Sequence, residues 1–213
     1  PDSVRARPFL AEREAIEAGE VEEHERLGIV RSERALDVFR SLVADEPGNG
    51  YRANQLGFAL EKAGKSEELL EVMERAHPAL FEDPPMVNGA TTWPAMMTAN
   101  ALLEVGETER ANLLLDGIEN TISGMRLITG PGFTNGIENV EVASLRGDTE
   151  EALAALRRAI DQNWRFTWDW MVYNNYLDPI RDDPRYIAMY EELKADIARQ
   201  RAWYERNKDL PLY

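Results

Sequence analysis

Apolar residues recur along this chain at the spacing of amphipathic helices, in a pattern that starts again four times. Each start is a Ser or Thr followed by Glu, at Ser32, Ser66, Thr108 and Thr149. A hydroxyl at that place predicts a helix N-cap, because it accepts from the free N–H groups of the first turn. Glutamate in the first turn is favoured by the helix dipole. Four helices are therefore predicted to begin at these residues.

The residues around each start agree with this prediction. Further apolar helices precede three of the starts, near residues 54–60, 99–103 and 140–143, and end at Gly64, Gly106 and Gly147. Glycine there ends a helix in a left-handed conformation, so the chain reads as helix, tight turn, helix. After each start an apolar stripe follows, with a period of about 3.6 residues. The four stripes are Ala35, Phe39, Leu42; Leu69, Met73, Ala76; Ala111, Leu115, Ile118; and Ala152, Leu156, Ala159.

The spacing of the starts indicates a repeat with insertions. Successive starts are 34, 42 and 41 residues apart. The two longer spacings hold segments rich in Pro, Gly and Asn, at 82–90 and 129–136. Such residues break helices, so both segments are predicted to be loops between helix pairs.

These residues resemble the tetratricopeptide repeat family, whose period is 34 residues. The family pattern places Leu-Gly in the first helix, Gly at the turn, and Ala early and late in the second helix, followed by Pro. The matching positions are Leu56, Gly57, Gly64, Leu69, Ala76 and Pro78; Ala35, Phe39, Leu42 and Pro47; Ala99, Gly106 and Ala111; and Gly147, Ala152 and Ala159. Ala99 stands where the family has Gly, and Val140 stands where the family has a small residue. The match covers residues 20–165.

The resemblance implies an all-α fold, a tetratricopeptide-like α–α solenoid of antiparallel helix pairs with a long C-terminal capping helix. We expect one domain over 1–213, with an N-terminal helix pair in 1–50, repeats with long loops in 51–163, and an aromatic last helix and capping helix in 164–213. Solenoids need such a cap with a polar outer face.

The last fifty residues predict that cap. Asp183 and Pro184 suit the N-cap and first position of a helix. Residues 185–207 then form a charged amphipathic pattern, with Tyr186, Met189, Tyr190, Leu193, Ile197 and Trp203 on one side. Six aromatics precede it: Trp164, Phe166, Trp168, Trp170, Tyr173 and Tyr176. Core of the last helix pair is the favoured interpretation of these aromatics, because aromatic runs at helical spacing pack together; a ligand pocket or a dimer seam is the alternative.

The segment 178–186, Asp-Pro-Ile-Arg-Asp-Asp-Pro-Arg-Tyr, and its tail carry a second resemblance. They are similar to the end of tetratricopeptide regions that follow a membrane anchor in bacterial winged-helix transcription regulators and adenylyl cyclases. This resemblance implies the regulatory or sensory part of a larger bacterial signalling protein, and it favours the periplasm over the cytoplasm. The start at Pro1 is interpreted as a processed chain or an excised piece.

Charge and composition exclude several classes of function. Among 213 residues, 39 Asp and Glu oppose 24 Lys and Arg, for a net charge of −15. Nucleic acid is not an expected partner, because polyanion binding needs a basic face. No apolar run reaches the ~20 residues of a membrane span, so no membrane contact by this chain is expected. Cysteine is absent, which removes thiol catalysis and thiolate metal sites.

No catalytic, nucleotide or metal site is predicted. Residues 59–66 fit a relaxed phosphate-loop pattern, but the chemistry needs a glycine-rich loop after a strand, and these residues favour a helix. His24 lies among glutamates and is interpreted as a solvated residue. His77 ends a helix, where a cation is favoured. The two lack the spacing of a helical zinc site. We therefore expect no enzyme activity and no cofactor.

A binding surface is the main functional prediction. The family resemblance places first helices on the concave face, with the candidate residues Tyr51, Asn54, Phe58, Trp93, Met96, Asn100, Ile137 and Glu141. The asparagine amides both donate and accept, which suits a peptide backbone, and the aromatic rings suit interface anchors. Inter-repeat core is the alternative interpretation of each ring. The family's chaperone-tail binders clamp a carboxylate with basic residues, which this set lacks.

These residues predict a protein–protein interaction module that binds a protein or peptide segment. A small-molecule sensor, with its ligand in the groove or under the long loops, is the alternative. A homodimer is a further alternative that the sequence leaves open.

Overall fold

The computed structural model describes residues 33–129, 136–165 and 168–208, except for the side chains of 126–129, 169 and 170, and no strand occurs in these ranges. The α-helices are α1 (Glu33–Asp45), α2 (Gly50–Lys62), α3 (Ser66–Ala76), α4 (Thr92–Glu104), α5 (Thr108–Thr129), α6 (Ile137–Leu145), α7 (Thr149–Asp161) and α8 (Pro184–Asn207). Short 3₁₀ helices cover Pro78–Phe81, Trp168–Val172 and Asn175–Ile180. The predicted all-α class is confirmed for these residues.

The glycine turns are confirmed. Gly64, Gly106 and Gly147 have φ values of +67°, +85° and +74°. This left-handed conformation strains residues that carry a Cβ. Each glycine therefore lets one helix stop and the next begin within three residues.

The predicted hydroxyl caps are wrong by one residue. Ser66, Thr108 and Thr149 are each the first residue of their helix, and Ser32 lies outside the described residues. An N-cap residue must stand outside the helical conformation, and before α7 that place belongs to Asp148, whose carboxylate accepts from the Glu151 N–H. The Ser66 hydroxyl instead donates to Glu104.

The chain divides into two compact units, Pro1–Thr121 and Ile122–Tyr213. In the first unit, α2 contacts α1, α3 and α4, and α3 also contacts α4. Gly57 leaves room for the Met73 methyl group, which a Cβ at this position would displace. The core of this unit is formed by the stripes of α1 to α4, including Leu36, Leu56, Leu60, Leu69, Met73 and Met97.

In the second unit, α6 packs against α7 and the turn Asn175–Ile180, and α7 also contacts α8. The Arg181 guanidinium ties this region together by donating to the carbonyls of Met171, Val172 and Asn174. Trp164 and Tyr176 are buried in the core, as the favoured interpretation of the aromatic cluster predicts. Phe166 and the side chain of Trp170 lie outside the described residues.

Helix α8 begins as predicted. Asp183 is its N-cap and accepts from the Arg185 N–H at 2.8 Å, and Pro184 is its first residue. The placement of Trp203 on the packed side is wrong: its side chain is 62% exposed. No helix in the described ranges is both long and apolar enough to cross a membrane.

Candidate interaction surface

The predicted binding residues of α2 share one face of that helix. Tyr51, Asn54 and Phe58 follow one another at intervals of three and four residues, and side chains at these intervals are neighbours on a helix. Tyr51 is 67% exposed, whereas Phe58 is half-buried and packs against the core. The face therefore opens to solvent toward the N-terminal end of α2.

Helix α4 extends this face. The Phe58 and Trp93 rings lie 6.2 Å apart between centroids, at an interplanar angle of 47°. Farther along both helices, the Asn100 Nδ2 donates to the Glu61 Oε1 at 3.2 Å. The later residue of α2, Glu61, contacts the later residue of α4, Asn100. The two helices therefore run parallel at this face. The structure thus brings together Phe58, Trp93 and Asn100 of the predicted set.

The members of the set differ in access to solvent. Trp93 is 42% exposed, whereas Met96 and Asn100 are buried. Tyr51 and Trp93 are therefore the rings that a partner reaches without rearrangement. Met96 fits the alternative interpretation, inter-repeat core.

The two asparagines are engaged inside the protein. The Asn54 Oδ1 accepts from the His77 Nε2 at 2.7 Å, and Asn100 donates to Glu61. Burial lowers the pKa of His77, because an apolar environment disfavours the charged imidazolium. Burial thus favours the neutral ring of His77 over the cation that the end of a helix favours. The amides are therefore less accessible for binding than the exposed rings of Tyr51 and Trp93.

Two charged residues on this face were missed from the sequence. Glu61 and Lys62 are buried, with the Lys62 Nζ 4.0 Å from the Glu61 Oε2 and 5.3 Å from the centroid of Phe58. A cation at that distance from a ring face is attracted by it. The four-residue interval from Phe58 to Lys62 places both on one face and would have identified the lysine. We expected no basic residue on this face, and the structure places Lys62 there.

Ile137 and Glu141 belong to the second unit. Ile137 is partly buried and packs against the core of that unit. The Glu141 Oε1 accepts from the buried Asn174 Nδ2 at 2.6 Å. One turn earlier, the Glu138 Oε2 is buried with no hydrogen-bond partner among the described residues. Burial raises the pKa of Glu138, because desolvation disfavours the carboxylate.

The first long loop walls a cleft of about 790 Å³ in the first unit. The Thr121 hydroxyl donates to the Val87 carbonyl at 3.0 Å, and the Met86 N–H donates to Ala79 at 2.8 Å, which holds the loop against α5 and the 3₁₀ turn. No Asp, Glu, Lys or Arg is among the described residues that line it. These are Ala76, His77, Pro78, Ala79, Leu80, Pro85, Met86, Val87, Asn88, Thr91, Gly117, Asn120 and Thr121. The predicted loop 129–136 lies largely outside the described residues.

Comparison of the chain with models of protein families, with curated proteins and with solved structures gives no match. Within the described ranges, no three acidic, histidine or cysteine side chains come close enough to hold a metal ion. The functional proposal below therefore starts from the geometry of the α2 and α4 face and of the loop cleft.

Proposed function

We propose that this chain is a protein–protein interaction module of the tetratricopeptide type, and that the face of α2 and α4 binds a segment of another protein. The observation that carries this proposal is the contact of Phe58 with Trp93. This contact joins α2 and α4, which are the first helices of two consecutive helix pairs, and it leaves Trp93 open to solvent. Tyr51 supplies a second open ring on the same face.

The helix order supports a solenoid arrangement. Three helix–glycine–helix pairs follow one another along the chain. Within Pro1–Thr121, α2 contacts both its own partner helix, α3, and the first helix of the next pair, α4. Parallel first helices, stacked side by side, are what a solenoid of helix pairs requires. In this arrangement the first helices line the surface that receives a ligand.

The face favours a segment with apolar anchors. Tyr51 and Trp93 offer aromatic area, and aromatic side chains dominate the energetic centres of interfaces. The Lys62 cation is buried, so it does not clamp a carboxylate at the surface. We further propose, on the resemblance of the tail, that the module is the regulatory part of a larger bacterial signalling protein.

The proposal is tested by selecting short displayed peptides against the Trp203→Ala chain, which removes an exposed aromatic side chain outside this face, and measuring their affinity by calorimetry. Trp93→Ala and Tyr51→Ala should each weaken binding by more than about tenfold, as loss of an aromatic anchor does. Ile187→Ala is the control, because Ile187 is also a large exposed apolar residue but belongs to the second unit and lies outside this face. Equal affinity for the wild type and Trp93→Ala would show that this face is not the binding surface.

The loop cleft favours a second candidate function, small-molecule sensing. A cleft of about 790 Å³ is within the usual size range of ligand sites, about 300–1,000 Å³. Its uncharged lining suits a neutral, mainly apolar molecule. A thermal-shift screen of neutral metabolites should yield compounds that stabilise the wild type, because a ligand of the folded state raises Tm.

Asn120→Trp provides the site control for that screen, because the larger side chain fills the cleft from an exposed lining position. Compounds bound in the cleft should lose their effect in this variant and keep it in Trp93→Ala. A screen without stabilising compounds, or one whose compounds still stabilise Asn120→Trp, would reject the sensor function at this site.

A further inference from the structure

The last turns of α8 extend past the core of the second unit. Tyr186, Met189 and Leu193 are buried, whereas every residue from 198 to 206 is exposed. Trp203 and Tyr204 lie side by side in the exposed stretch, and each keeps more than half of its surface in solvent. Trp, Tyr and Arg are the residue types that most often anchor interfaces, and this stretch is rich in all three.

The same stretch is basic, although the chain is acidic. Residues 198–208 hold four basic residues and one acidic residue, a net charge of +3, against −15 for the whole chain. Arg199 and Lys208 pair with acidic residues of the same helix. Arg201 and Arg206 have no ion pair within the described part of the chain. Both guanidinium groups are therefore available to a partner.

The two adjacent rings at this end of α8 are flanked by cations. Residues three or four apart are neighbours on a helix, so each ring has one cation before it and one after it. These are Arg199 and Arg206 around Trp203, and Arg201 and Lys208 around Tyr204. Tyr204 follows Ile197 by seven residues and so continues the stripe that is buried earlier in the helix. The end of α8 therefore presents an aromatic ridge with cations on both sides.

We propose that residues 197–208 form a docking helix, and that its partner is an acidic amphipathic helix of another protein. The apolar stripe of such a helix covers the two rings. Asp and Glu beside the stripe meet the arginines, as charges that flank the apolar seam do in coiled coils. The eleven helical residues 197–207 span about 16 Å, enough for a partner of three turns. This interaction is independent of the α2 and α4 face.

Charge distinguishes this partner from two other occupants. A second copy of α8, packed ridge to ridge, would bring arginines against arginines, and like charges across an interface are unfavourable. An anionic membrane is recognised by clusters of about four to eight Lys and Arg, whereas within the described residues only Arg201 and Arg206 are unpaired cations at this end of α8. An acidic helix satisfies both the rings and the unpaired cations.

The test uses the Trp93→Ala chain, so that the first surface is disabled, as bait for a library of short displayed peptides. Enriched peptides should carry Asp or Glu three or four residues from apolar residues. Trp203→Ala should lower the affinity for a selected peptide by more than about tenfold. The double variant Arg201→Glu, Arg206→Glu should lower it by at least as much. Ile187→Ala, an exposed apolar residue in the first turn of α8, is the control that keeps full affinity.

A charge swap makes the assignment specific. A selected peptide whose acidic residues are replaced by Lys should no longer bind the Trp93→Ala chain. The same Lys peptide should bind the Trp93→Ala chain that also carries Arg201→Glu and Arg206→Glu. The proposal is overturned if no acidic peptides are enriched or if the charge-reversed chain binds the original peptide unchanged. It is also overturned if Trp203 instead supports flotation with phosphatidylserine vesicles or a dimer in sedimentation equilibrium.

Discussion

The turn at Gly147 offers a direct test of the helix–turn–helix geometry in the second unit. Its φ is +74°, and a Cβ added there would meet no atom within 4 Å. Replacement by alanine therefore acts through the backbone conformation and not through a clash. A residue with a Cβ loses about 1–2 kcal/mol in the left-handed region.

Part of that loss is offset, because alanine restricts the unfolded chain and so stabilises the folded one by about 0.4–1 kcal/mol. We expect Gly147→Ala to lower the free energy of unfolding by about 1 kcal/mol, which corresponds to a fall in Tm of about 4–8 °C for a unit of this size. Gly147→Asn should lose less, because asparagine tolerates the left-handed region better than alanine does.

Urea denaturation followed by circular dichroism measures both losses. Gly48→Ala is the control, because Gly48 has equally open surroundings but no positive φ; its stability should stay equal to that of the wild type or rise. Gly147→Ala as stable as the wild type, or an asparagine variant no more stable than the alanine variant, would show that the left-handed turn is not the source of the loss.

Three further predictions concern the second unit. Trp164→Ala should cost about 3–5 kcal/mol of unfolding free energy in urea, because Trp164 is buried in the core and its loss leaves a cavity. Asp148→Ala should cost about 1 kcal/mol, whereas Asp148→Asn should cost little, because asparagine also caps a helix; thermal unfolding by circular dichroism compares them. Burial raises the pKa of Glu138, so the native state holds this proton more tightly than the unfolded state, and the resulting stability is lost as pH rises through the raised pKa. Glu138→Gln should therefore raise Tm near neutral pH and lose that advantage below the ordinary pKa of 4.5, as measured by thermal unfolding at the two pH values.

Much of the helical order follows from local patterns. The stripes of α3, α5 and α7 and the glycines before them depend on residues close in sequence, and they predicted the element order. The cap at Asp148 was missed because a hydroxyl and a carboxylate one residue apart are both good caps. Only the backbone conformation decides between them.

The candidate surface was harder to predict, because burial depends on contacts distant in sequence. Phe58 and Trp93 are brought together by the packing of α2 on α4. The same packing buries Met96 and draws Asn54 to His77. Single-helix periodicity placed these residues on one face, but it does not report how much of that face a neighbouring element covers.

The exposure of the end of α8 also could not be predicted from helical periodicity. Its apolar stripe continues to Tyr204 at helical spacing, and the pattern alone placed the nearby Trp203 on the packed side. The structure leaves both rings in solvent, because the core that receives the start of the stripe ends before them.

The most direct test of the interaction module is hydrogen exchange of the chain with and without a peptide that was selected against the Trp203→Ala variant, so that the end of α8 is not the selected surface. Slower exchange is expected in Gly50–Lys62 and Thr92–Glu104, with no such protection in the Trp93→Ala variant. Protection confined to other helices, or equal protection in Trp93→Ala, would contradict the claim that the face of α2 and α4 is the binding surface.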